Sequence, residues 1–167
     1  MKLDEGKKKV IEAWGTLGTS WGINRAMAQI HALLMLSKEP LSTNQIMEEL
    51  QISRGNANMN IRNLMDWGIV KKELRSGERQ EYFYTSKDIT HLARVVVTER
   101  KKRELQPIME ILAEVQNVEG EDKEEVKEFN KVVKDLQSFS KNVDGMIDKF
   151  VKSDEHWFYK ILLKTMK

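Results

Sequence analysis

The sequence contains no cysteine. Disulfides, zinc fingers, iron–sulfur clusters and thiol nucleophiles are therefore excluded together. The three histidines, His31, His91 and His156, are far apart and have no carboxylate at ligand spacing, so they do not indicate a metal site. No phosphate-binding glycine loop or nucleophile motif is present either. We expect a protein that is not an enzyme and needs no metal or cofactor.

Glycine and proline are scarce, with nine and two residues in a chain of 167, and there is no Gly/Ser-rich linker. This composition predicts a mostly helical chain with few long loops. No apolar run approaches the ~20 residues of a membrane span. The polar start of the chain, residues 1–9, lacks the apolar stretch of a secretory signal. We therefore expect a soluble, cytoplasmic protein.

The net charge of +2 is too small to indicate nucleic-acid binding by itself. Residues 53–87 contain seven basic and four acidic side chains, a mild local excess. Such an excess is also typical of an ordinary protein surface. The motifs within this segment therefore have to show whether it is a nucleic-acid-binding surface or an ordinary one.

Two short helices with clear start signals follow Pro40. Ser42 is a good N-cap, and Gln45 three residues later completes a capping-box pattern. After a short turn, Ser53 caps the next helix, which is expected to end at Gly68. This pattern is typical of a helix-turn-helix.

The helix that begins at Ser53 has one apolar stripe, formed by Ala57, Ile61 and Leu64 at helical spacing. Its other side has no carboxylate before Asp66. Asparagine and glycine are poor helix formers, so their use here favours a role in contacts. The polar and basic residues of that side are Arg54, Asn56, Asn58, Arg62 and Asn63.

The hydrophobic period then changes to about two. Residues 69–74 and 80–85 are predicted strands, joined by a turn in which Arg75 and Arg79 flank Gly77. The order of helix, turn, polar helix and basic hairpin is the winged helix-turn-helix plan. The predicted fold is mainly α with a small β-hairpin wing, followed by long C-terminal helices.

The flanking segments are also predicted to be helical. A first helix runs from about Lys7 to Trp14 and is broken at Gly15, and Ser20 then caps a second helix that extends to about Ser37. Helix resumes after residue 88, with a kink or a new start at Pro107. We divide the chain into residues 1–19, residues 20–88 with the DNA-binding domain, and residues 89–167.

We expect the C-terminal helices to form a homodimer, because the stripe from Phe129 to Phe150 is longer and more apolar than one hairpin partner can cover. The N-terminal helix in residues 1–19 is a further expected dimer contact. The residues expected at the C-terminal interface are Ile108, Ile111, Leu112, Val115, Phe129, Val132, Val133, Leu136, Val143 and Phe150.

A polar helix face of this kind fits the major groove of duplex DNA, where amides and guanidinium groups can bind base edges. Arginines at the hairpin tip can lie over phosphates or in the minor groove. The residues that we expect to contact DNA are Ser42, Thr43, Ser53, Arg54, Asn56, Asn58, Met59, Arg62, Asn63, Arg75 and Arg79.

The residues from Leu41 to Val70 resemble the DNA-binding core of MarR-type repressors, and in particular of the GbsR/MarR branch. The similarity lies in the runs LSTNQI, LQISRGNAN and WGIV, and it extends over about residues 21–114. Met59 and Asn60 depart from the usual residues of that branch. The resemblance implies dimerisation outside the motif and DNA contacts from Ser53, Arg54, Asn56, Asn58, Arg62, Arg75 and Arg79.

Relatives in this branch respond to choline-like cations, and aromatic faces bind such cations by cation–π attraction. The resemblance therefore adds release by a small-molecule effector, of unknown identity, as an expectation. The tryptophans are Trp14, Trp21, Trp67 and Trp157. Tryptophan at helical spacing is more often part of a core, and no cage can be assigned from the sequence.

Two other functions fit the sequence less well. A winged helix can act as a protein-binding adaptor, but an adaptor has no need of the polar, basic face of residues 53–63. A single-stranded nucleic-acid binder usually has surface aromatics between basic residues. The only aromatic run, residues 82–84, lies in a predicted strand beside the core.

Overall fold

The computed structural model describes residues 1–153, and the chain divides into two compact units after Leu92. The predicted fold class is confirmed: helices dominate, and a small antiparallel sheet accompanies them. The elements are α1 (Leu3–Ser20), α2 (Arg25–Leu36), β1 (Leu41–Ser42), α3 (Thr43–Leu50), α4 (Arg54–Asp66), β2 (Val70–Leu74), β3 (Glu81–Thr85), α5 (Ile89–Arg100), a π-helical turn (Lys101–Leu105), α6 (Gln106–Glu114) and α7 (Lys123–Lys152).

The first helix is longer than predicted, because α1 continues through Gly15 and Gly18. Both glycines are buried against α2. A Cβ at Gly18 would lie 2.6 Å from the Cβ of Ala28, and one at Gly15 would lie 2.8 Å from Cγ of Gln29. The glycines therefore allow two helices to pack closely, and this packing offsets their poor helix propensity.

The predicted start of the second helix at Ser20 is wrong. Ser20 is still within α1, and α2 is capped by Asn24, whose Oδ1 accepts hydrogen bonds from the amides of Ala26 at 2.9 Å and Met27 at 3.3 Å. Asparagine and serine are equally good caps. Asn24 is the cap of α2 because α1 extends through Ser20, which leaves Ser20 inside the first helix.

Both predicted caps of the helix-turn-helix are confirmed. The amide of Gln45 donates to Oγ of Ser42 at 3.3 Å, and the amide of Ser42 donates to Oε1 of Gln45 at 2.9 Å. Oγ of Ser53 accepts from the amide of Asn56 at 3.2 Å. Helix α4 ends near Gly68, as predicted, in a left-handed residue with φ of 71°.

The core of the first unit lies between α2, α3 and α4. Ile30 and Ile46 are fully buried, and Ala57, Ile61 and Leu64 line the inner face of α4 as predicted. This face orients α4 so that its opposite side is exposed. The exposed side of the helix is thus a consequence of its apolar stripe.

The three strands form an antiparallel sheet in the order β1-β3-β2. The hairpin of β2 and β3 is confirmed, with Lys72 opposite Phe83. Strand β1 was not predicted, because two residues are too few to show an alternating pattern. It pairs Leu41 with Phe83 and so connects the start of α3 to the wing.

In the second unit, the expected change near Pro107 is confirmed as a distortion of the helix, since a π-helical turn separates α5 from α6, which begins at Gln106. Helix α7 packs on α6 through the buried Leu112 and Val133. The ammonium of Lys101 lies 2.8 Å from Asp144 and 2.5 Å from Asp148, two carboxylates one turn apart on α7. Their hydrogen bonds and charge raise the pKa of Lys101 and lower the pKa of Asp148.

His31 is the one buried histidine among the described residues, and its Nε2 has no hydrogen-bond partner there. Its ring lies 6.2 Å from that of Trp14. Burial lowers the pKa of His31 from 6.5 to about 4, because the apolar surroundings disfavour the imidazolium. His31 therefore has a core role rather than that of a metal ligand.

We expect acidification to destabilise the first unit through His31. Below pH 6.5 the unfolded chain binds a proton that the folded chain does not bind until about pH 4. The free energy of unfolding should fall by about 2 kcal/mol from this group between about pH 7.5 and about pH 5. Urea unfolding of the wild type and His31→Leu at both pH values measures the difference. The exposed His91, replaced by glutamine, is the control, and an equal loss in wild type and His31→Leu would contradict the assignment.

Candidate nucleic-acid interface

The outer face of α4 presents the polar residues that the sequence predicts. Arg54, Arg62 and Asn63 are exposed, and Asn58 is half-buried between them. Met59 is 52% exposed, an unusual position for a large apolar side chain. A methionine there can pack on a thymine methyl group, while the neighbouring polar groups bind base edges.

The guanidinium of Arg54 is held by α3. Its Nη2 donates a hydrogen bond of 2.7 Å to Oδ1 of Asn44. Asn44 was not among the predicted site residues, and only the packing of α3 beside α4 brings the two together. This bond orients a long, exposed side chain before any ligand binds, which reduces the entropy that binding would cost.

The serine and threonine residues predicted to contact DNA have different environments. Ser42 is only 1% exposed, and its hydroxyl caps α3. Thr43 is half-buried at the first residue of α3, whereas Ser53 is exposed at the N-cap of α4. The structure thus brings Thr43 and Ser53 to the surface and places the hydroxyl of Ser42 inside.

The wing has a compact tip. The amide of Glu78 donates to the carbonyl of Arg75 at 3.1 Å, and Gly77 supplies the positive φ of 81° that this turn requires. Arg79 follows the turn and is exposed. The tip therefore carries at least one arginine on its surface, as the sequence predicts.

Arg75 is held within the wing. Its Nε lies 3.1 Å from the Glu73 carboxylate, and its guanidinium stacks 3.9 Å over the ring of Tyr82. The Tyr82 hydroxyl in turn donates to Glu78 at 2.5 Å. The bond to Glu73 raises the pKa of Arg75, and the bond to Glu78 raises that of Tyr82. The two wing arginines, which look equivalent in the sequence, are thus in different environments.

The residues predicted for dimerisation separate into three groups by exposure. Leu112 and Val133 are buried within the second unit, and Val115, Val143 and Phe150 are half-buried. The exposed group is Ile108, Ile111, Phe129, Val132 and Leu136.

Five exposed apolar residues of α7 and the half-buried Val143 form a regular row. They recur at alternating steps of three and four residues, the spacing of a coiled-coil seam. Phe139 and Met146 are the most exposed, at 67% and 68%. We call this row the α7 seam, and it consists of Phe129, Val132, Leu136, Phe139, Val143 and Met146.

The tryptophans of the first unit do not form a cluster of equivalent residues. Trp14 is half-buried beside His31, Trp67 is half-buried at the end of α4, and Trp21 is 53% exposed. Trp157 and His156 lie outside the described residues. Within residues 1–153, no group of three or more His, Asp or Glu side chains could hold a metal ion. No helix in this part of the chain is long and apolar enough to cross a membrane.

The fold and the surface of the first unit define a winged helix-turn-helix domain of the DNA-binding class. Residues 21–80 match the family model described as MarR family. This part of the chain is therefore similar to the DNA-binding domains of MarR family regulators.

A solved structure described as a crystal structure of a transcriptional regulator resembles this one with a TM-score of 0.58. The match covers 86% of this chain and 99% of that chain at 18% sequence identity, so it is a likeness of fold. No curated protein is significantly similar in sequence.

We expect the two wing arginines to differ in DNA binding. Arg79→Ala should flatten the log–log dependence of affinity on salt by about one unit, because a lost phosphate contact releases about one counterion fewer. Arg75→Ala should change this slope little, because its guanidinium is already engaged by Glu73 and Tyr82. Titrations at several salt concentrations measure both slopes, with the exposed Lys141→Ala as a control. An unchanged slope in Arg79→Ala would remove the wing tip from the interface.

Proposed function

We propose that the protein is a repressor that binds specific duplex DNA sequences as a homodimer and catalyses no reaction. The observation that carries this proposal is the outer face of α4, where Arg54, Asn58 and Arg62 follow one another at four-residue steps. Side chains at this spacing share one face of a helix. A straight row of donors and acceptors can follow the edge of base pairs in the major groove.

The chemistry of this row fits base recognition. Arginine can bind guanine through two hydrogen bonds, and asparagine can bind adenine in the same way. The hydrogen bond that Arg54 donates to Asn44 supports the proposal further, since a guanidinium held in one orientation is more selective than a mobile one. Arg79 at the wing tip would add affinity for phosphate without reading sequence.

The α7 seam supports the proposed homodimer. Its residues are apolar, all but the half-buried Val143 are exposed within their own unit, and a second copy of the same helix would cover them at matching spacing. Such a dimer would bind two half-sites in the DNA that are related by its two-fold symmetry. Helix α1 offers a second apolar stripe, because Leu3, Val10 and Leu17 are exposed at seven-residue steps.

We propose repression as the outcome, since a dimer bound over a promoter would exclude polymerase from the DNA that it covers. We place the protein in the cytoplasm with its DNA target. The resemblance to the GbsR/MarR branch supports a cationic small-molecule effector, and Trp21 is the most exposed of the tryptophans within residues 1–153. Its indole face could take part in cation–π binding.

Substitution of the recognition row tests DNA reading directly. We expect Arg54→Ala and Asn58→Ala each to cost about 1–3 kcal/mol on the preferred duplex and much less on a scrambled duplex, since base contacts carry specificity. The preferred duplex is first obtained by selection from random sequences with the purified protein. Titrations at one fixed salt concentration then compare the variants with wild type.

Asn142→Ala, an exposed substitution on α7, is the control for these titrations, and circular dichroism verifies folding. Folded row variants that retain full preference for the selected duplex would rule out this row as the reading surface. They would favour the adaptor alternative instead. Failure of the selection to enrich any sequence would count against sequence-specific binding altogether.

Charge placed in the α7 seam tests the dimer. We expect Leu136→Glu combined with Phe139→Glu to shift the protein from twice the chain mass to the monomer in sedimentation, because the dimer would bury both carboxylates. Both wild-type side chains are exposed in their own unit, so helicity should be retained. Ser138→Glu with Lys141→Gln makes the same change in net charge at exposed positions away from the seam, and this variant should remain dimeric. A monomeric wild type at micromolar concentration would contradict the proposal.

A further inference from the structure

Asn60 is a polar residue in the apolar face of α4. It has no exposed surface, although its neighbours on that face are Ala57, Ile61 and Leu64. Its Oδ1 has no hydrogen-bond partner within residues 1–153. A buried amide with an unpaired oxygen is costly, and an apolar side chain of similar size would serve the core better. The position of Asn60 therefore requires an explanation other than packing.

The other half of the Asn60 amide is fully engaged with Asn56. Its Nδ2 donates to the backbone carbonyl of Asn56 at 2.9 Å and to Oδ1 of the same residue at 2.5 Å. Because a backbone carbonyl can only accept, the atom of Asn60 that faces it must be the NH2 group. The atom of Asn56 in front of the same NH2 group must then be its oxygen. The geometry thus determines the orientation of both amides.

We propose that Asn60 is a positioning residue for DNA recognition, which turns the Asn56 amide so that its NH2 group is directed to the base edges. The proposal rests on the DNA-reading role proposed for α4. Asn56 is half-buried at the edge of that face, one turn before Asn60. Its Nδ2 has no hydrogen-bond partner among the described residues, so both of its N–H groups remain available as donors.

This orientation changes what Asn56 can read. The two-bond pair of asparagine with adenine needs the amide oxygen to accept from adenine N6, and here that oxygen is bound by Asn60. An outward NH2 group matches an edge that offers acceptors. In the major groove, guanine presents two of them, N7 and O6, and no donor. We therefore assign guanine to Asn56, in place of the adenine that an unconstrained asparagine would favour.

The test uses Asn60→Leu, which removes the positioning bonds and the unpaired oxygen together. We expect the variant to fold with an unchanged or higher Tm, yet to bind the selected duplex about tenfold more weakly, with little change on scrambled DNA. Asn56→Ala should show the same loss. The double variant should lose no more than either single one, since both act through one contact. Asn60→Ala replaces Asn60→Leu if the larger side chain prevents folding.

The base is identified with duplexes in which 7-deazaguanine, which lacks N7, replaces each guanine in turn. One position should weaken wild-type binding about tenfold and have no effect on Asn56→Ala or Asn60→Leu. Asn58→Ala is the matched control: it should remain sensitive at that position, and its loss should add to that of Asn60→Leu.

An Asn60→Leu protein that keeps full affinity and full sensitivity to 7-deazaguanine would overturn the proposal, and so would sensitivity at adenine alone. If Asn56→Ala and Asn60→Leu keep wild-type affinity and specificity while Arg54→Ala and Asn58→Ala lose specificity, the positioning role is contradicted and the proposed DNA reading by α4 is retained. If all four variants keep wild-type affinity and specificity, the proposed DNA reading by α4 is contradicted as well.

Discussion

The packing of α4 on the core is the interaction on which the interface depends. Four asparagines and a glycine make this helix a weak one by propensity alone. Ala57, Ile61 and Leu64 hold it in place by burial, and the hydroxyl of Ser53 caps its first turn. Because these few contacts determine the position of the helix, its outer residues need not contribute to stability. They can be selected for what they bind.

A set of polar contacts orients the side chains of this surface. Asn44 holds Arg54 from the neighbouring helix, and Asn60 holds Asn56 from within the core. In the wing, Glu73 and Tyr82 hold Arg75. Each of these bonds ties a polar side chain at or near the surface to one orientation. The candidate interface is thus supported by side chains other than those proposed to read DNA bases.

Much of the fold can be predicted from the sequence, because many of its signals lie in residues close together in the chain. The caps at Ser42 and Ser53 and the turn at Gly77 depend on residues within one turn of chain, so the sequence predicts them. The extension of α1 through Gly15, the short strand β1 and the partners of the recognition residues depend on contacts between elements. The burial of Ser42 belongs to this second group, since its capping role was predicted and its inward position was not. Sequence patterns identify the candidate surface, whereas tertiary packing determines how each side chain is presented.

The α7 seam has a consequence for gene regulation under the proposed function. An apolar row that only a second copy covers makes the DNA-binding species a product of association between chains. In the dilute range, the concentration of such a dimer follows the square of the chain concentration, so a twofold change in synthesis alters it about fourfold. Operator occupancy would then respond to expression level with a threshold, even without an effector. A stripe of side chains on one helix would in this way set the sharpness of a genetic response.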